Sequence, residues 1–234
     1  MKPEIVQKLR MLSKQSYDKI AAEFDATRKK YLWPEMIKLA AGIKAGARIL
    51  DAGCGNGRLL EAFTDKQIKY LGIDNSQILL NLARANYPER DFQEIDLSML
   101  NFAETQALTG QQFDFIFCIA VLQHIPSTTI RIQVLKNFKK LLAPGGQLII
   151  SNWNLWASAK RNLIFKQAFK KVIGLNKLDF GDLIFPWKNS AGEEVSERYY
   201  HAFNKRELRS LASQAGFKKI VVKKDTHNYW LILE

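Results

Sequence analysis

Two acidic residues and three closely spaced glycines form the most distinctive chemical pattern in this chain. An apolar stretch leads directly into Asp51, and Gly53, Gly55 and Gly57 follow at alternate positions. Glycine permits both the backbone conformation of such a turn and the close approach of a ligand to the main chain. Asp74 ends the next apolar stretch, where a carboxylate can accept hydrogen bonds from both hydroxyls of a ribose. This spacing predicts a binding site for a nucleoside-containing cofactor.

Alternating strands and helices must position these residues. The pattern predicts strands at residues 47–51, 69–73, 91–95, 113–120 and 147–151, with helices at 57–65, 76–86 and 127–142. Such alternation indicates an α/β fold with a doubly wound, mostly parallel sheet that carries helices on both faces. Ligands bind such sheets at the carboxyl ends of the strands. Asp51, Asp74, Asp96 and residues 120–124 are therefore expected to converge at one edge.

The flanking segments complete the expected organisation. Helical periodicity marks residues 5–24, and Pro34 suits the first turn of a second helix. Asn204 and Glu207 fit the start of a late helix, which Gly216 ends. We expect one domain over residues 1–234, comprising a helical extension (1–42), a cofactor-binding core (43–151), a cap inserted after the fifth strand (152–203), and a last helix with two strands (204–234).

The charge of the chain is unevenly distributed. The net charge is +12, and residues 151–177 contain six basic and no acidic residues. This segment also has the pattern of an amphipathic helix. An excess of basic residues outside a nearly neutral core is typical of proteins that bind a polyanion, with nucleic acid first and an anionic membrane surface second. A basic surface with no partner is the alternative.

The two cysteines and the apolar runs bear on the cellular compartment. Cys54 lies in the glycine turn and Cys118 in an apolar strand, without the spacing of metal ligands. We therefore expect reduced thiols and no metal site. No apolar run reaches the length needed to span a bilayer, and the first residues are charged. A cytoplasmic protein without membrane insertion is expected.

The order of four motifs resembles the class I S-adenosylmethionine-dependent methyltransferases over residues 43–151. These motifs are the D-x-G-x-G-x-G turn from Asp51, an acid after the third strand (Asp96), the apolar fourth strand, and a Pro-Gly-Gly turn before the fifth strand. The resemblance implies a Rossmann-like methyltransferase fold with a seven-stranded sheet. It also implies S-adenosyl-L-methionine as the cofactor.

The resemblance further implies roles for individual residues. Asp74 would bind the ribose, Asp96 would read the adenine edge, and Asp51 would lie near the ammonium group of the cofactor. The remaining cofactor contacts that it implies come from Ala52, Gly53, Cys54, Gly55, Asn75, Leu97 and Ala120.

Three further segments resemble the tRNA wobble-uridine carboxyl methyltransferases. They are residues 17–34, the FPWK sequence at 185–188 and the RYYHAFNKREL sequence at 198–208. That family esterifies 5-carboxymethyluridine at the wobble position of tRNA. The resemblance implies that the anticodon loop of tRNA is the partner. In eukaryotic members a small zinc-binding activator protein supports the enzyme, so such a partner is also a candidate here.

This second resemblance implies a substrate site. Tyr17 and Arg28 would close over the cofactor, and aromatic and basic side chains would shape the nucleoside pocket. The residues implied in the pocket are Trp187, Arg198, Tyr199, Tyr200 and His201, and the basic cap residues expected to contact RNA are Lys160, Arg161, Lys170 and Lys171.

The chemistry of a carboxylate acceptor sets the expected catalytic roles. A carboxylate is already ionised at neutral pH, so catalysis reduces to alignment. Arg28 or Arg198 would hold the substrate carboxylate, because a guanidinium matches it with two parallel hydrogen bonds. His124 and His201 would matter more for a hydroxyl or amine acceptor, which must lose a proton. Tyr200 is the remaining candidate at the reacting centre.

Two other functions fit the same sequence. One is a methyltransferase for a quinone, lipid or other metabolite, with the basic amphipathic segment lying on a membrane. The other is a non-catalytic RNA-binding protein that retains the cofactor fold. Binding to liposomes without tRNA would favour the first, and absence of cofactor binding would favour the second.

Overall fold

Regular elements account for most of the computed structural model, which describes residues 1–28, 32–189 and 191–234, with only the backbone at 27 and 28. The helices of the described chain are α1 (Pro3–Arg28), α2 (Pro34–Ala41), α3 (Gln77–Asn86), α4 (Thr128–Leu141), α5 (Arg161–Val172) and α6 (Lys205–Gln214). Its strands are β1 (Arg48–Ala52), β2 (Lys69–Asp74), β3 (Asp91–Glu94), β4 (Phe113–Ile119), β5 (Leu142–Trp153), β6 (Asp182–Lys188), β7 (Glu194–His201), β8 (Ile220–Lys224) and β9 (Asn228–Leu233).

Seven of these strands form the central sheet, in the order β3-β2-β1-β4-β5-β9-β8. Strands β1 to β5 are parallel, whereas β9 is antiparallel to both β5 and β8. This confirms the mostly parallel seven-stranded sheet. The chain proceeds from β1 to β2 on one side and later to β4 on the other. This switch point is where open α/β sheets form their ligand crevice.

Both faces of the sheet are covered, as a buried parallel sheet requires. Successive residues of a strand point to opposite faces. Leu50 and Ile116 accordingly belong to one buried cluster, which includes residues of α4 and α6. Ile49 and Phe117 belong to the other, which includes residues of α2 and α3. These two cores fix the strand ends that carry the glycine turn and the acidic residues.

Three elements differ from the sequence-based expectation. The helix expected at residues 57–65 is a short 3-10 helix at Arg58–Phe63, because its backbone bonds close over three residues, as from Leu60 N to Gly57 O at 3.0 Å. Strand β5 begins at Leu142 rather than 147, because Leu142 already pairs with Phe113 before an irregularity in the register. The basic helix of the cap is confined to α5, which follows a 3-10 turn at Leu155–Ala157.

The cap and the ends of the chain pack against each other. Strands β6 and β7 form a separate antiparallel pair, and α1 lies beside β7, where the hydroxyls of Ser16 and Ser196 are 2.7 Å apart. The expected cap of α6 is confirmed, since Asn204 Oδ1 accepts a hydrogen bond from Glu207 N at 3.0 Å. Among the described residues, no helix combines the length and apolar character needed to cross a membrane.

Candidate active site

A cavity opens at the carboxyl ends of the parallel strands and contains about 1040 Å³ of atom-free space, part of it open to solvent. A cleft at this edge of the sheet is where open α/β folds bind their ligands. Helix α1 covers the cavity from above. Of the residues predicted to contact the cofactor or take part in catalysis, the lining brings together Tyr17, Gly53, Gly55, Asp74, Asn75, Asp96, Leu97, Ala120 and His124.

The glycine turn after β1 needs glycine at Gly53 for two separate reasons. Its φ angle of +80° lies in the left-handed region that side chains disfavour. A Cβ atom placed there would also lie 2.3 Å from the side chain of Val121, which follows β4. The backbone N–H of Gly53 donates to Ile73 O at 2.7 Å, which ties the turn to β2. The turn therefore presents bare backbone to the cavity.

Asp74 is held rigidly at the end of β2. One carboxylate oxygen accepts a hydrogen bond from Gly55 N, and the other accepts one from Ser76 N, both at 2.9 Å. Burial raises the pKa of Asp74, while these backbone donors favour the ionised form and limit the rise. A carboxylate has about four acceptor positions, so Asp74 keeps capacity to accept from a ligand hydroxyl.

Asp51, Ala52 and Cys54 lie behind the cavity and are outside its described lining. Asp51 is 3% exposed and accepts a hydrogen bond from the Tyr70 hydroxyl at 2.8 Å. Burial raises the pKa of Asp51 to about 7. Cys54 and Cys118 are both free and buried, and burial raises the pKa of each thiol. Direct contacts of Asp51, Ala52 and Cys54 with a cofactor stay predictions.

Asp96 lines the cavity but is already paired. Its Oδ2 accepts from Arg10 Nη2 at 2.8 Å, and its Oδ1 accepts from the backbone and the hydroxyl of Ser98 at 2.8 and 2.6 Å. Burial alone would raise its pKa, but the hydrogen bonds from Ser98 and Arg10 outweigh that effect and lower the pKa. Arg10 thus lies beside the position expected for the adenine edge.

Helix α1 supplies lining residues that the sequence analysis missed, namely Arg10, Ser13 and Lys14. With Tyr17, they recur at steps of one, three or four residues and so share one face of the helix. This helical spacing relative to Tyr17 is the sequence signal that could have identified them. Lys14 pairs with Glu94 at 3.4 Å, and Asp18 Oδ1 accepts from the Ser76 hydroxyl at 2.6 Å. Trp33, Arg58 and Trp153 are further lining residues that the sequence analysis missed.

His124 is engaged at both ring nitrogens. Its Nδ1 lies 3.0 Å from the carbonyl oxygen of Tyr199, which can only accept, so Nδ1 carries a hydrogen. Burial lowers the pKa of His124 to about 4, which keeps the ring neutral at pH 7. Nε2 is then an acceptor, and the hydroxyl of Tyr17 donates to it at 3.0 Å.

Arg198 lies one layer behind Tyr17. Its guanidinium stacks between the rings of Tyr17 and Trp187, at 4.7 and 5.2 Å from the ring centres. Its Nε donates to Ser16 Oγ at 3.1 Å, and its Nη1 donates to the Tyr200 hydroxyl at 3.4 Å. Within the described chain, Nη2 is buried without a hydrogen-bond partner. A buried cation with an unused donor is suited to bind an anion.

Strand β7 separates the residues that were expected to share one pocket. Tyr200 points toward the cavity side, where it stacks on Phe185 at 4.4 Å and contacts His124 at 4.6 Å. Tyr199 and His201 point the other way, to Asp182, at 2.6 and 2.7 Å. Alternation along a strand causes this division.

His201 connects the cap to the core. Its second nitrogen lies 2.7 Å from Glu207 of α6, and Arg131 of α4 reaches the same Asp182 at 3.4 Å. Burial would raise the pKa of Asp182, but its contacts with His201 and Arg131 lower it. The other predicted residues lie apart from the cavity lining. Lys160 precedes α5, and Arg161, Lys170 and Lys171 lie within it. The side chain of Arg28 is outside the described residues.

Several tRNA-modifying proteins are similar to this chain. It is 26% identical to the tRNA (carboxymethyluridine(34)-5-O)-methyltransferase of Schizosaccharomyces pombe, covering 94% of both chains. It is 32% identical to the mouse protein of the same activity over 59% of this chain, and it spans 19% of that protein's length. A ubiquinone biosynthesis O-methyltransferase of Xanthomonas axonopodis is 27% identical over 76% of this chain and 77% of its own.

Solved structures share the fold. A S-adenosylmethionine-dependent methyltransferase of Methanosarcina mazei superposes with a TM-score of 0.65 at 20% identity, covering 86% of this chain and 97% of that one. An S-adenosylmethionine-bound amino pentose methyltransferase of Micromonospora echinaspora gives 0.60 at 16% identity, covering 91% and 95%. The model of the methyltransferase domain family matches residues 24–222. The chain therefore belongs to the methyltransferase domain family, and it is an S-adenosylmethionine-dependent methyltransferase.

Proposed function

We propose that this enzyme methylates the carboxylate of 5-carboxymethyluridine at the wobble position of tRNA, which gives the methyl ester. The fission yeast relative that carries this activity in its name is similar to the chain over nearly its whole length. Action on tRNA would place the protein in the cytoplasm. The anticodon loop would be its partner, together with any activator protein of the kind expected from the eukaryotic family.

The single observation that carries this proposal is the state of His124. A hydroxyl or amine acceptor must lose a proton during transfer, and a histidine at the cavity would be the natural base. The lone pair of Nε2 already accepts the Tyr17 hydroxyl, and Nδ1 faces a carbonyl oxygen. A carboxylate acceptor, with a pKa of about 4 in model compounds, needs no base. The arrangement thus favours an acceptor that is ionised before it binds.

The residues of the chain then act by binding and alignment. S-adenosylmethionine, when bound, supplies a methyl group on a positively charged sulfur. Asp74 would accept the ribose hydroxyls, and the bare backbone at Gly53 and Gly55 would admit the rest of the cofactor. Transfer of that methyl group to a carboxylate oxygen would need no proton to move, so the residues of the chain would have only to hold the two groups in line. Proximity and orientation can supply several kcal/mol, on the order of 7–11 in well-aligned systems.

Arg198 is the side chain that we assign to the substrate carboxylate. Its Nη2 has no hydrogen-bond partner within the described chain, and its neighbour Tyr17 lines the cavity. Because Nε and Nη1 are engaged by Ser16 and Tyr200, Nη2 would hold one carboxylate oxygen and leave the other to react. Arg28, whose side chain lies outside the described residues, is the alternative holder of the same anion.

A methyltransferase for a small aromatic acceptor is the competing function. The similarity to ubiquinone biosynthesis O-methyltransferases favours it, and so do the apolar rings of Trp33 and Trp153 in the cavity lining. This function would require a base for a phenolic hydroxyl. It therefore predicts that Tyr17 gives up its contact with His124 when the acceptor binds.

Methyl transfer to tRNA tests the proposal. Transfer RNA from cells that lack this gene is incubated with the enzyme and labelled S-adenosylmethionine, with and without extract of the same cells to supply any activator. Nucleoside mass spectrometry should find the methyl ester of carboxymethyluridine, and Asp74→Ala should abolish it. If labelled cofactor binds but the ester is absent in both arms, the proposal is wrong.

A further inference from the structure

We propose that one face of α5 binds the unpaired bases and phosphates of the RNA substrate beside the cavity. This face comprises Arg161, Phe165, Lys166 and Phe169, and is called the α5 face below. The inference rests on the proposed function, because it names where the RNA lies on the enzyme. It assigns a role to a part of the cap that contributes nothing to the described lining of the cavity.

Helix α5 leaves an unusual amount of apolar surface uncovered. Ile164 is its one buried residue, whereas Phe165 is 57% exposed and Phe169 is 64% exposed. Residues four positions apart lie on the same side of a helix, so Arg161, Phe165 and Phe169 form a row. Lys166 flanks that row, and Lys170 lies one helical turn after Lys166. Two exposed phenyl rings in a row are unfavourable unless a partner covers them.

The charge around this row identifies the chemistry of the partner. Six basic residues and no acidic residue occur between residues 151 and 177. Helix α5 has no acidic residue in its first turn, and Lys170 and Lys171 occupy its last turn. A surface with rings and cations at the same place matches single-stranded nucleic acid, whose bases stack on the rings while the cations hold its phosphates.

A series of contacting side chains links the start of α5 to the cavity. The ammonium of Lys160, just before α5, lies 4.3 Å from the ring centre of Phe185. Phe185 stacks on Tyr200 at 4.4 Å, and Tyr200 stacks on Trp153 at 5.3 Å. Trp153 lines the cavity. These contacts place the start of α5 close to the cavity, so RNA bound on the α5 face would lie near the site that one of its bases enters.

The α5 face is also held in place rather than loosely attached. Phe165 packs edge-on against Trp156, with ring centres 5.9 Å apart. Trp156 in turn donates its indole N–H to Ala202 O at 3.1 Å, in the segment that follows β7. A preorganised surface loses less entropy when it binds.

Beyond the α5 face, the apolar surface continues with aliphatic side chains. Val172 is 84% exposed and Leu175 is 72% exposed. Aliphatic side chains offer no flat ring for base stacking, whereas a lipid surface would engage them together with Phe165 and Phe169. Substitution of Val172 and Leu175 therefore distinguishes an RNA partner from a membrane.

Steady-state kinetics on tRNA with matched variants test the inference. Phe165→Ala/Phe169→Ala should raise the KM for tRNA by about tenfold or more, because each stacked base contributes a measurable share of affinity. Lys166→Ala/Lys170→Ala should raise KM and lower the salt dependence of binding by about two phosphate contacts. In both variants, kcat at saturating tRNA and the affinity for S-adenosylmethionine should match the wild type.

Two control variants and one vesicle assay complete the design. Lys44→Ala/Lys218→Ala removes the same charge elsewhere, and Val172→Ser/Leu175→Ser removes the aliphatic end; both should leave the KM for tRNA unchanged. An unchanged KM in the Phe165/Phe169 variant, with an active wild type, would overturn the inference and leave the proposed function intact. A wild type that cannot methylate tRNA would overturn both. Cosedimentation with phosphatidylserine vesicles that depends on Val172 and Phe169, without RNA binding, would assign the face to a lipid surface.

Discussion

The hydroxyl of Tyr17 donates to Nε2 of His124 across 3.0 Å, and this contact joins the helix over the cavity to the loop after β4. The two rings also meet edge to face, with centres 5.3 Å apart. With α1 in this position, the lone pair of the histidine that would serve as a base is occupied. The contact that joins α1 to His124 thus occupies Nε2, while burial keeps the ring neutral.

His124 gives the stability of the protein a specific pH dependence. Its folded pKa of about 4 lies below the ordinary value of 6.5, so the unfolded state binds a proton first on acidification. Its contribution is complete above pH 6.5 and is lost as the pH falls toward 4. The slope reaches about 1.4 kcal/mol per pH unit where only the unfolded state is protonated. His124→Gln should remove this term, as measured by urea unfolding between pH 4 and 7.

Asp51 acts in the opposite direction and supplies the control for that experiment. Its folded pKa of about 7 lies above the ordinary 3.8, so its contribution falls as the pH rises between these values. Relative to wild type, the slope of stability against pH should be more positive in Asp51→Asn and more negative in His124→Gln. Equal slopes in wild type and His124→Gln would contradict the assignment of a neutral, buried His124.

Gly53→Ala tests whether the turn after β1 needs glycine for space as well as for conformation. Gly110 has a similar φ angle, +76° against +80°, but nothing lies within 4 Å of the position of its Cβ. Both substitutions incur about 1–2 kcal/mol of backbone strain. Only Gly53→Ala also forces Val121 to move, so it should show the larger fall in melting temperature and lose cofactor affinity. Equal effects of the two variants would show that the contact with Val121 contributes nothing to the need for glycine at position 53.

Asp74→Asn should weaken the binding of S-adenosylmethionine by about 100-fold, since hydrogen bonds to a charged group contribute about 1.5–3 kcal/mol. The amide keeps the shape of the side chain but offers one acceptor oxygen in place of two. Asp114→Asn is the matched control, because Asp114 pairs with Arg48 at 2.8 Å away from the described cavity lining. Isothermal titration calorimetry measures both. Equal affinities in the two variants would exclude Asp74 from the ribose site.

Arg198→Lys should lower kcat/KM for tRNA by at least tenfold while cofactor affinity stays within a factor of about two. Lysine keeps the charge but loses the planar guanidinium that bonds Ser16 and Tyr200 while leaving Nη2 for the substrate, and it cannot stack between Tyr17 and Trp187 in the same way. Arg198→Gln should be worse, because it also removes the charge. A Lys variant with full activity would show that Arg198 supports the cap rather than the substrate.

Local patterns were enough to predict the sheet and the glycine turn. Apolar strands, the alternating glycines and the cap at Asn204 each depend on a few neighbouring residues, and the structure has them where the sequence indicates. The pairing of Arg10 with Asp96 joins residues 86 positions apart, so no local pattern could reveal it. Asp96 is consequently less available to a ligand than its position alone suggested.

The residues from Arg198 to His201 alternate in direction, and the period of a strand is enough to predict this alternation. The four residues were expected in one pocket, yet they lie on a strand, where neighbours face opposite ways. Arg198 and Tyr200 lie toward Tyr17 and His124, and Tyr199 and His201 lie toward Asp182. Recognising β7 as a strand would have separated the two pairs. The partners of each pair depend on tertiary packing and required the structure.

The most direct test of the central claim identifies the atom that receives the methyl group. An anticodon stem-loop with carboxymethyluridine at the wobble position is methylated with labelled S-adenosylmethionine, beside the same stem-loop with unmodified uridine, and both products are then treated with mild alkali. We expect label in the carboxymethyluridine stem-loop alone and its complete release as methanol, because an ester hydrolyses under these conditions. Label that survives alkali, or that enters the uridine stem-loop equally, would contradict carboxylate methylation.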